Sequence, residues 1–446
     1  MWFSKNIYLL VYLLFSCASV HTANHYVDNK AKGHNNGTSW KNAWESFSDI
    51  DWNQIQPGDI LYISGGKDST IYNESLVVPV DGTADNLITI RNGLDEGRNG
   101  KVIIQGLSKN PNAPYPNGIY VAYRSYIKLV GLTSRGWWKG IAGHGTNVLY
   151  IDSCAVEDNQ WGVGVALSGA SSDSVFVWNC HLVCDWTTLE QTDVLGGTGC
   201  TYFECKNNYI YQGNKYSWYG HSDCIQLLQS GKQIYYNNWI ESVANYDSSA
   251  ASGLNGQNNL GSDTTLFYNN VIIIRGWVYS LFMNEGNTGH TWILYNNTII
   301  KEYNDTPSGV LQTVHPKTFA KNNIFYSTNS KYPLIELQNP LFPGPINFDY
   351  NFYYHPYYSI ISGSFNFSQW QAAGYDIHGA EGNPLFTNFH SPHDLDLTLQ
   401  SGSPCRDTGT ASIKAFIESW GLPWTDFAGN QRSETTPSIG AYEYVP

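Results

Sequence analysis

Charged residues are scarce in this chain. Asp, Glu, Lys and Arg make up 14% of its 446 residues, and 24 basic residues face 37 acidic ones, for a formal net charge of -13. A surface of this net charge argues against a nucleic-acid or anionic-membrane partner. We therefore expect no nucleic-acid partner. A strongly polyanionic ligand would need a bound cation or a local basic patch.

Long apolar runs are also missing. Residues 6–16, which follow Lys5, form one apolar stretch that is too short to cross a bilayer and has the position of a signal peptide. We predict that residues 1–23 are removed on export and that no transmembrane segment remains. Leu14-Phe15-Ser16-Cys17 loosely matches a lipoprotein processing site, so a lipid on Cys17 is the alternative. The expected location is outside the cell, at its surface or in the periplasm.

The cysteines do not have the spacing of a zinc site. Seven of the eight follow Cys17, and in an exported protein disulfides are the first expectation. Alignment of the repeats described next places Cys154 and Cys180 where later repeats have Asn. We interpret both as buried stacking residues, with a disulfide between them as the alternative.

The chain is rich in one repeated phrase, an Asn pair followed closely by an apolar residue. The second Asn stands at positions 208, 238, 270, 297 and 323, in steps of 30, 32, 27 and 26 residues. The segments between are rich in Tyr, Ile, Val, Trp and Thr and lack helical apolar spacing. Period and composition together predict a β-solenoid with one coil per repeat. Asn at one register suits a left-handed bend and hydrogen bonds between successive coils.

An Asn ladder of this kind resembles that of the pectate lyase-like superfamily, over most of the chain. The turns Gln56-Pro57-Gly58-Asp59 and Asp426-Phe427-Ala428-Gly429-Asn430 are similar to the caps of secreted bacterial β-helix proteins. The resemblance implies an all-β, single-stranded right-handed parallel β-helix, expected to be a monomer. Its predicted parts are an N-terminal cap with first coils at 24–117, coils at 118–355, and C-terminal coils with a cap at 356–446. Short helices are expected near 40–50 and 413–420.

The resemblance also implies where a polysaccharide would bind, namely along one parallel sheet and its adjacent turns. We predict strands of this sheet at 118–123, 138–143, 162–167, 193–197, 224–229, 253–258, 278–285 and 309–315. The substrate-binding candidates on or beside them are Trp138, His144, Trp218, Gln226, Asn258, Asn284 and His290. Sugar rings stack on exposed aromatic side chains, and Trp137, Trp161, Trp186 and Tyr219 extend the aromatic set.

Asp193 and Asp223 are the leading pair of chemical candidates. They begin predicted strands of successive coils, so their backbones would lie about 5 Å apart. Two such carboxylates can bind Ca²⁺ or share a proton. His221 beside Asp223 can accept a proton. The plain alternative is that an Asp at the start of a strand only caps a turn.

A polysaccharide lyase is the first functional hypothesis, because this activity is frequent on the fold. Elimination from a uronate chain requires that the uronate carboxylate be neutralised and that a base remove the C5 proton. Asp193 and Asp223 would then hold Ca²⁺, and the base candidates are Lys139, His221 and His315.

A glycoside hydrolase is the second hypothesis. Hydrolysis needs two carboxyl groups at a set separation, and Asp193, Asp223 and Glu285 are the candidates. The motifs of polygalacturonase-like hydrolases are not reproduced in order, since Gly143-His144-Gly145 precedes the Asp candidates. The third hypothesis is a non-catalytic surface or adhesive β-helix, in which the polar strip is simply solvated.

Overall fold

The computed structural model describes residues 22–106, 112, 117–164, 171–184, 193–213, 223–243, 254–257, 263–275, 280–284, 289–302, 309–313, 317–328, 333–337, 347–355, 365–389 and 395–446, without the side chains of 255, 257, 282–284, 313 and 337. Their strands form three parallel sheets of 12, 10 and 12 members, in which neighbours come from successive coils. The predicted parallel β-helix is confirmed. No helix within these ranges is both long and apolar enough to cross a membrane.

The three sheets run side by side along the solenoid. The first sheet contains Asn24–Val27, Ile60–Ile63, Ile88–Asn92, Ile127–Val130, Val148–Asp152, Ser172–Trp178, Cys200–Lys206, Lys232–Tyr236, Thr264–Tyr268, Thr291–Tyr295, Thr318–Lys321 and Asn347–Asp349. The second contains Ser69–Tyr72, Lys101–Gln105, Leu132–Arg135, Ala155–Glu157, His181–Cys184, Tyr209–Gln212, Trp239–Ser242, Val271–Ile274, Thr298–Lys301, Ile324–Ser327, Phe352–Tyr354 and Ala380–Glu381. The third contains Leu76–Val77, Asn117–Tyr120, Lys139–Ala142, Trp161–Gly164, Leu195–Thr198, Ile225–Leu228, Leu254–Gln257, Leu281–Asn284, Leu311–Thr313 and Ile335–Leu337.

Stacked apolar columns fill the interior. One column of the third sheet consists of Ile119, Ile141, Val163, Leu195 and Ile225, which pair in register and are at most 1% exposed. Because each coil places the same inward position over the next, one apolar residue per coil builds a continuous core. Each such side chain contributes about 2 kcal/mol of burial.

The two members of each Asn pair have different tasks. The first has a left-handed backbone, with φ of 56° at Asn207 and 57° at Asn269, and turns the chain from the first sheet into the second. The second is buried and hydrogen-bonds to the next coil. Nδ2 of Asn270 donates to Oδ1 of Asn297 at 3.0 Å, and Nδ2 of Asn297 donates to Oδ1 of Asn323 at 2.9 Å. These Asn–Asn hydrogen bonds tie the coils together along the axis.

Cysteine replaces Asn at this position in earlier coils. The backbone N–H of Cys180 donates to Oδ1 of Asn208 at 2.8 Å, as the Asn residues do further along. Cys154 and Cys180 are both buried and both free thiols. The stacking interpretation agrees with this arrangement. The alternative of a disulfide between them is wrong for this structure, in which each thiol is instead directed at a backbone carbonyl.

We expect Asn297→Ala to lower the free energy of unfolding by about 3 kcal/mol, because unpaired buried polar groups cost about 1–3 kcal/mol each. The substitution leaves the backbone N–H and Nδ2 of Asn270 and the carbonyl of Phe267 without their partner. Urea unfolding followed by tryptophan fluorescence measures the change. Asn207→Gly is the control, since it keeps the left-handed bend and removes only an exposed bond to Asn179; its effect should be about 0.5 kcal/mol or less. Equal losses in the two variants would contradict the interpretation.

The ends of the chain contain the few helices. The helix expected near 413–420 is confirmed as Lys414–Ser419, preceded by a 3-10 turn at Ala411–Ile413. The helix expected near 40–50 is wrong, because Trp44 bridges to Val27 in an extended conformation. Two 3-10 turns follow instead, at Phe47–Asp49 and Trp52–Gln54. A helix at Phe367–Ala372 and an antiparallel pair of strands, Phe386–Asn388 with Asp396–Leu399, precede the last segment.

Residues 405–444, here called the strap, return along the outside of the coils. Ile413 and Ile417 of the strap pack on outward side chains of the first sheet, including Ile234 and Leu266. Phe427 of the strap lies 6.2 Å from the ring of Trp239 on the second sheet. In the part of the chain that the structure describes, the strap therefore packs on the first and second sheets.

Candidate functional site

The third sheet contains the predicted candidate strip. Each of the eight segments predicted for it coincides with one of its strands. Lys139 pairs in register with Asn117 on one side and Trp161 on the other. Val163 pairs with Leu195 and Leu195 with Ile225, so Trp161, Asp193 and Asp223, each two residues earlier, follow one another on successive coils. We call Asn117, Lys139, Trp161, Asp193 and Asp223 the site column.

Lys139 has the most unusual environment in the site column. It is 2% exposed, and its Nζ has no hydrogen-bond partner among the described residues. Nζ lies 4.5 Å from the ring centroid of Trp138 and 5.6 Å from that of Trp161. Burial lowers the pKa of Lys139 to about 8, since the two indoles replace only part of the lost hydration. The amine is therefore suited to act as a base near neutral pH.

Small residues lie beside the site column. Ala142, Gly164 and Gly196 pair in register on successive strands, and Gln226 continues this row. A Cβ on Gly164 would lie 3.6 Å from Nζ of Lys139. The row therefore leaves room for the Lys139 side chain itself, and it ends at a side chain that can hydrogen-bond.

The two carboxylates are adjacent, as the sequence predicts. Oδ1 of Asp193 accepts a hydrogen bond from the backbone N–H of Asp223 at 3.0 Å, and Nε2 of Gln226 donates to Oδ2 of Asp223 at 3.2 Å. Both Asp residues are at most 1% exposed, whereas Gln226 is half-buried. Asp193 thus does cap the start of the next strand. These hydrogen bonds hold the buried pair in a fixed arrangement.

His144 supplies a second desolvated base near Lys139. It follows the strand Lys139–Ala142, and its ring meets the rings of Tyr120 and Tyr123 edge-on at 5.9 and 5.1 Å. Burial, and secondly the charge of Lys139, lower the pKa of His144. Both shifts increase the neutral fraction of the base at a given pH.

The oxygen ligands at Asp193 and Asp223 are of the type that a hard cation binds. Carboxylate and amide oxygens are the ligands that Ca²⁺ prefers, and Asp193, Asp223 and Gln226 supply them. No group of three or more His, Cys, Asp or Glu suited to a metal occurs in the described ranges. A Ca²⁺ ion here would complete its 6–8 ligands with water, substrate or other parts of the chain.

His290 lies beside the first sheet. It is fully buried, with Nε2 2.8 Å from Oγ1 of the equally buried Thr265 and its ring 5.6 Å from that of Trp292. The substrate-binding role of His290 stays a prediction. It directly precedes the first-sheet strand Thr291–Tyr295 and is a core residue.

Several further predicted residues cannot be placed. Asn284 ends the strand Leu281–Asn284, but its side chain is not described. The candidates that lie outside the described residues are Trp218, His221, Asn258, Glu285 and His315.

The sequence did not single out Trp161, nor Gly164 and Gly196 in the row beside it. Trp161 was one aromatic candidate among several, and nothing in its local sequence separates it from the others. The available signal was the apolar column: counting two residues back from Ile141, Val163 and Leu195 gives Lys139, Trp161 and Asp193.

Comparisons with known proteins find the fold. No protein-family model matches the chain, and no curated protein sequence matches it. The solved structure of pectate lyase Pel9A matches with a TM-score of 0.59 at 16% identity, over 96% of this chain and 98% of its own. XylC in complex with xylose matches with a TM-score of 0.53 at 10% identity, over 95% and 98%. A rhamnogalacturonan lyase gives 0.47 at 13% identity, over 90% and 99%. These likenesses show that the chain shares the parallel β-helix fold of pectate lyase Pel9A and XylC.

Proposed function

We propose that this protein is an exported carbohydrate-active enzyme that cleaves a uronate-containing polysaccharide by β-elimination. Lys139 is the base, and Asp193 and Asp223 hold a Ca²⁺ ion. The observation that carries the proposal is a buried amine without a described hydrogen-bond partner, aligned on the same site column as two adjacent carboxylates. The likeness to pectate lyase Pel9A supports it at the level of fold.

Lys139 is the group that starts the reaction. Its neutral Nζ takes the proton from C5 of the uronate. The electron pair of the C–H bond forms the C4–C5 double bond, and the glycosidic oxygen on C4 leaves and takes a proton from water. The indoles of Trp138 and Trp161 keep water from Nζ, which favours the neutral amine required for the first step.

The carboxylates Asp193 and Asp223 would hold the cation at the other end of the site column, where it would attract the charged part of the substrate. Ca²⁺, when bound, would neutralise the uronate carboxylate and so make the C5 proton more acidic. Gln226 holds Asp223 in place through its amide N–H. Without a cation, Asp193 and Asp223 would repel a uronate, and the negative net charge of the chain would add to this repulsion.

Glycoside hydrolysis is the second candidate function. Asp193 and Asp223 directly precede neighbouring strands, whose backbones are about 5 Å apart. This spacing allows their carboxyl groups the separation of about 5 Å that retaining glycosidases use. The xylose-bound XylC structure shows that a chain of similar fold binds a neutral sugar. In this reaction Lys139 would have no direct part.

The proposal predicts products with unsaturated ends. The purified protein is incubated with sodium polygalacturonate, rhamnogalacturonan, sodium alginate and xylan, with Ca²⁺ or with a chelator. We expect ultraviolet absorbance from C4–C5 double bonds to rise together with reducing ends on one of the acidic substrates, and the chelator to lower this rate at least tenfold.

Other results would redirect the assignment. Reducing ends without absorbance would overturn the lyase proposal and support hydrolysis by Asp193 and Asp223. Activity that persists in the presence of the chelator would show that the reaction does not need Ca²⁺. Silence on the whole panel would favour a binding or structural β-helix.

A further inference from the structure

Gly164 and Gly196 are unexpected in the middle of the third sheet. Each lies within a described strand, and neither has a positive φ, so backbone conformation does not require glycine there. Glycine weakens a strand, and within strands it often marks a place of close approach. Glycine at these two positions is therefore explained by the atoms that occupy the place where a side chain would lie.

Side chains of the site column occupy that space. A Cβ on Gly164 would lie 3.4 Å from Cδ of Lys139, and a Cβ on Gly196 would lie 3.1 Å from Cζ3 of Trp161. Both side chains thus lean one coil onward and rest on a glycine. The contact at Gly164 is ordinary van der Waals contact, whereas the contact at Gly196 is tight enough to move the indole.

Trp161 encloses Lys139 on the side that faces the carboxylates. Its ring lies between the Lys139 amine, 5.6 Å from the ring centroid, and Gly196, the neighbour of Asp193. Trp138 covers the amine from another side, with its ring centroid 4.5 Å from Nζ of Lys139. Trp161 is half-buried, so it forms part of the barrier between Lys139 and solvent.

We propose that Trp161, resting on Gly196, is a positioning residue that keeps water from the Lys139 amine and fixes where it lies in the site column. This inference rests on the proposed function for its catalytic meaning, but the shielding itself is a property of the chain. Within the described ranges, the titratable groups on the strands next to Lys139 are His144 beyond the end of its own strand, Tyr120 on the preceding strand and Asp193 two strands onward. None of them is removed by changes at Trp161.

Trace labelling of Lys139 measures the shielding without reference to activity. The folded protein is methylated with a limiting amount of formaldehyde and cyanoborohydride from pH 6 to 11, and the Lys139 peptide is quantified by mass spectrometry. In the wild type we expect reactivity to rise with a midpoint near pH 8. In Trp161→Ala the midpoint should rise by about one pH unit, because water then solvates the ammonium form.

Graded substitutions distinguish shielding from general damage. Trp161→Phe keeps an aromatic ring and should move the midpoint less than Trp161→Ala. Gly196→Ala pushes the indole aside and should give a smaller shift in the same direction, while Gly164→Ala should leave the midpoint nearly unchanged. Trp178→Ala is the matched control, since it uncovers Lys206, whose Nζ lies 3.8 Å from that indole on the first sheet, and should not affect Lys139.

The pH profile of kcat/KM on the substrate identified above connects shielding to catalysis. In Trp161→Ala the rise of kcat/KM should move upward by the same amount as the labelling midpoint, so that activity at pH 7 falls about tenfold through loss of neutral amine. An unchanged labelling midpoint in both Trp161→Ala and Gly196→Ala overturns the inference. A shifted midpoint in a protein that cleaves none of the four glycans supports the shielding by Trp161 and refutes the proposed function instead.

Discussion

Lys139→Met is expected to abolish elimination and, at the same time, to raise the free energy of unfolding at pH 7 by about 3 kcal/mol. The loss of activity follows because methionine cannot accept the C5 proton. The gain in stability follows from burial, which lowers the pKa of Lys139 from 10.5 to about 8 and so disfavours the charged form in the folded state. Methionine also packs well against the two indoles that enclose it.

The pH dependence of this gain has a definite sign. Below pH 8 the amine is charged in the folded and unfolded states, and the folded wild type bears the whole unfavourable term. Between pH 8 and 10.5 the folded amine is neutral while the unfolded amine still binds a proton, so the term decreases as pH rises. The advantage of Lys139→Met should therefore be complete below pH 8 and absent above about pH 10.5.

Urea unfolding of both proteins at pH 6.5, 8, 9.5 and 10.5 tests this behaviour. Lys128→Met is the matched control, because Lys128 is half-exposed on the first sheet and pairs with Asp152 at 3.4 Å. Its effect should be within about 1 kcal/mol. If Lys139→Met destabilises the protein at pH 7, the amine has a compensating partner in solution and its role as a desolvated base is wrong.

The sequence alone predicted that Asp193 and Asp223 are neighbours, but it did not predict that Lys139 and Trp161 align with them. Asp193 and Asp223 could be paired from sequence because each precedes a buried strand and they lie 30 residues apart, one period of the repeat. Lys139 and Trp161 are separated by 22 residues, and Trp161 and Asp193 by 32. When successive coils differ in length, the residues that lie side by side are known only from the pairing of their strands. The repeat period in the sequence does not give this pairing.

The fold was more predictable than the site for a physical reason. Each coil must repeat the same bend and the same inward position, so Asn pairs and apolar residues recur and can be counted. A catalytic column has no such repetition, since each of its members has a different task. His290 shows the consequence: its residue type suggested a binding role, but the contact of its ring nitrogen with Thr265 could not be read from the sequence.

Arg432→Met is expected to cause the largest loss of stability, about 3–5 kcal/mol, because it breaks a buried ion pair and its hydrogen bonds. The Arg432 guanidinium is fully buried between the strap and the coils. It donates to Oδ1 of Asn269 at 2.9 Å and lies 3.4 Å from the carboxylate of Glu443. It also donates to the carbonyls of Thr425, Ser438, Gly440 and Ala441.

The substitution should release the strap before the coils unfold. Without Arg432 the Glu443 carboxylate stays in a site where burial already raises its pKa, and four strap carbonyls lose a donor. Limited proteolysis with mass spectrometry should show early cleavage within 405–444, and urea unfolding should show a lower midpoint. The described contacts of the strap are with the first and second sheets and not with the site column, so the proposed activity at low temperature should be nearly unchanged.

Two further variants isolate the cause. Arg406→Met is the control, because Arg406 belongs to the same strap but is exposed and pairs with its neighbour Asp407; its effect should be below about 1 kcal/mol. Arg432→Met combined with Glu443→Gln should recover part of the loss, since no unpaired charge then remains buried. If the double variant is as unstable as Arg432→Met, the unpaired carboxylate is not the cause, and the loss comes from the hydrogen bonds to Asn269 and the strap carbonyls.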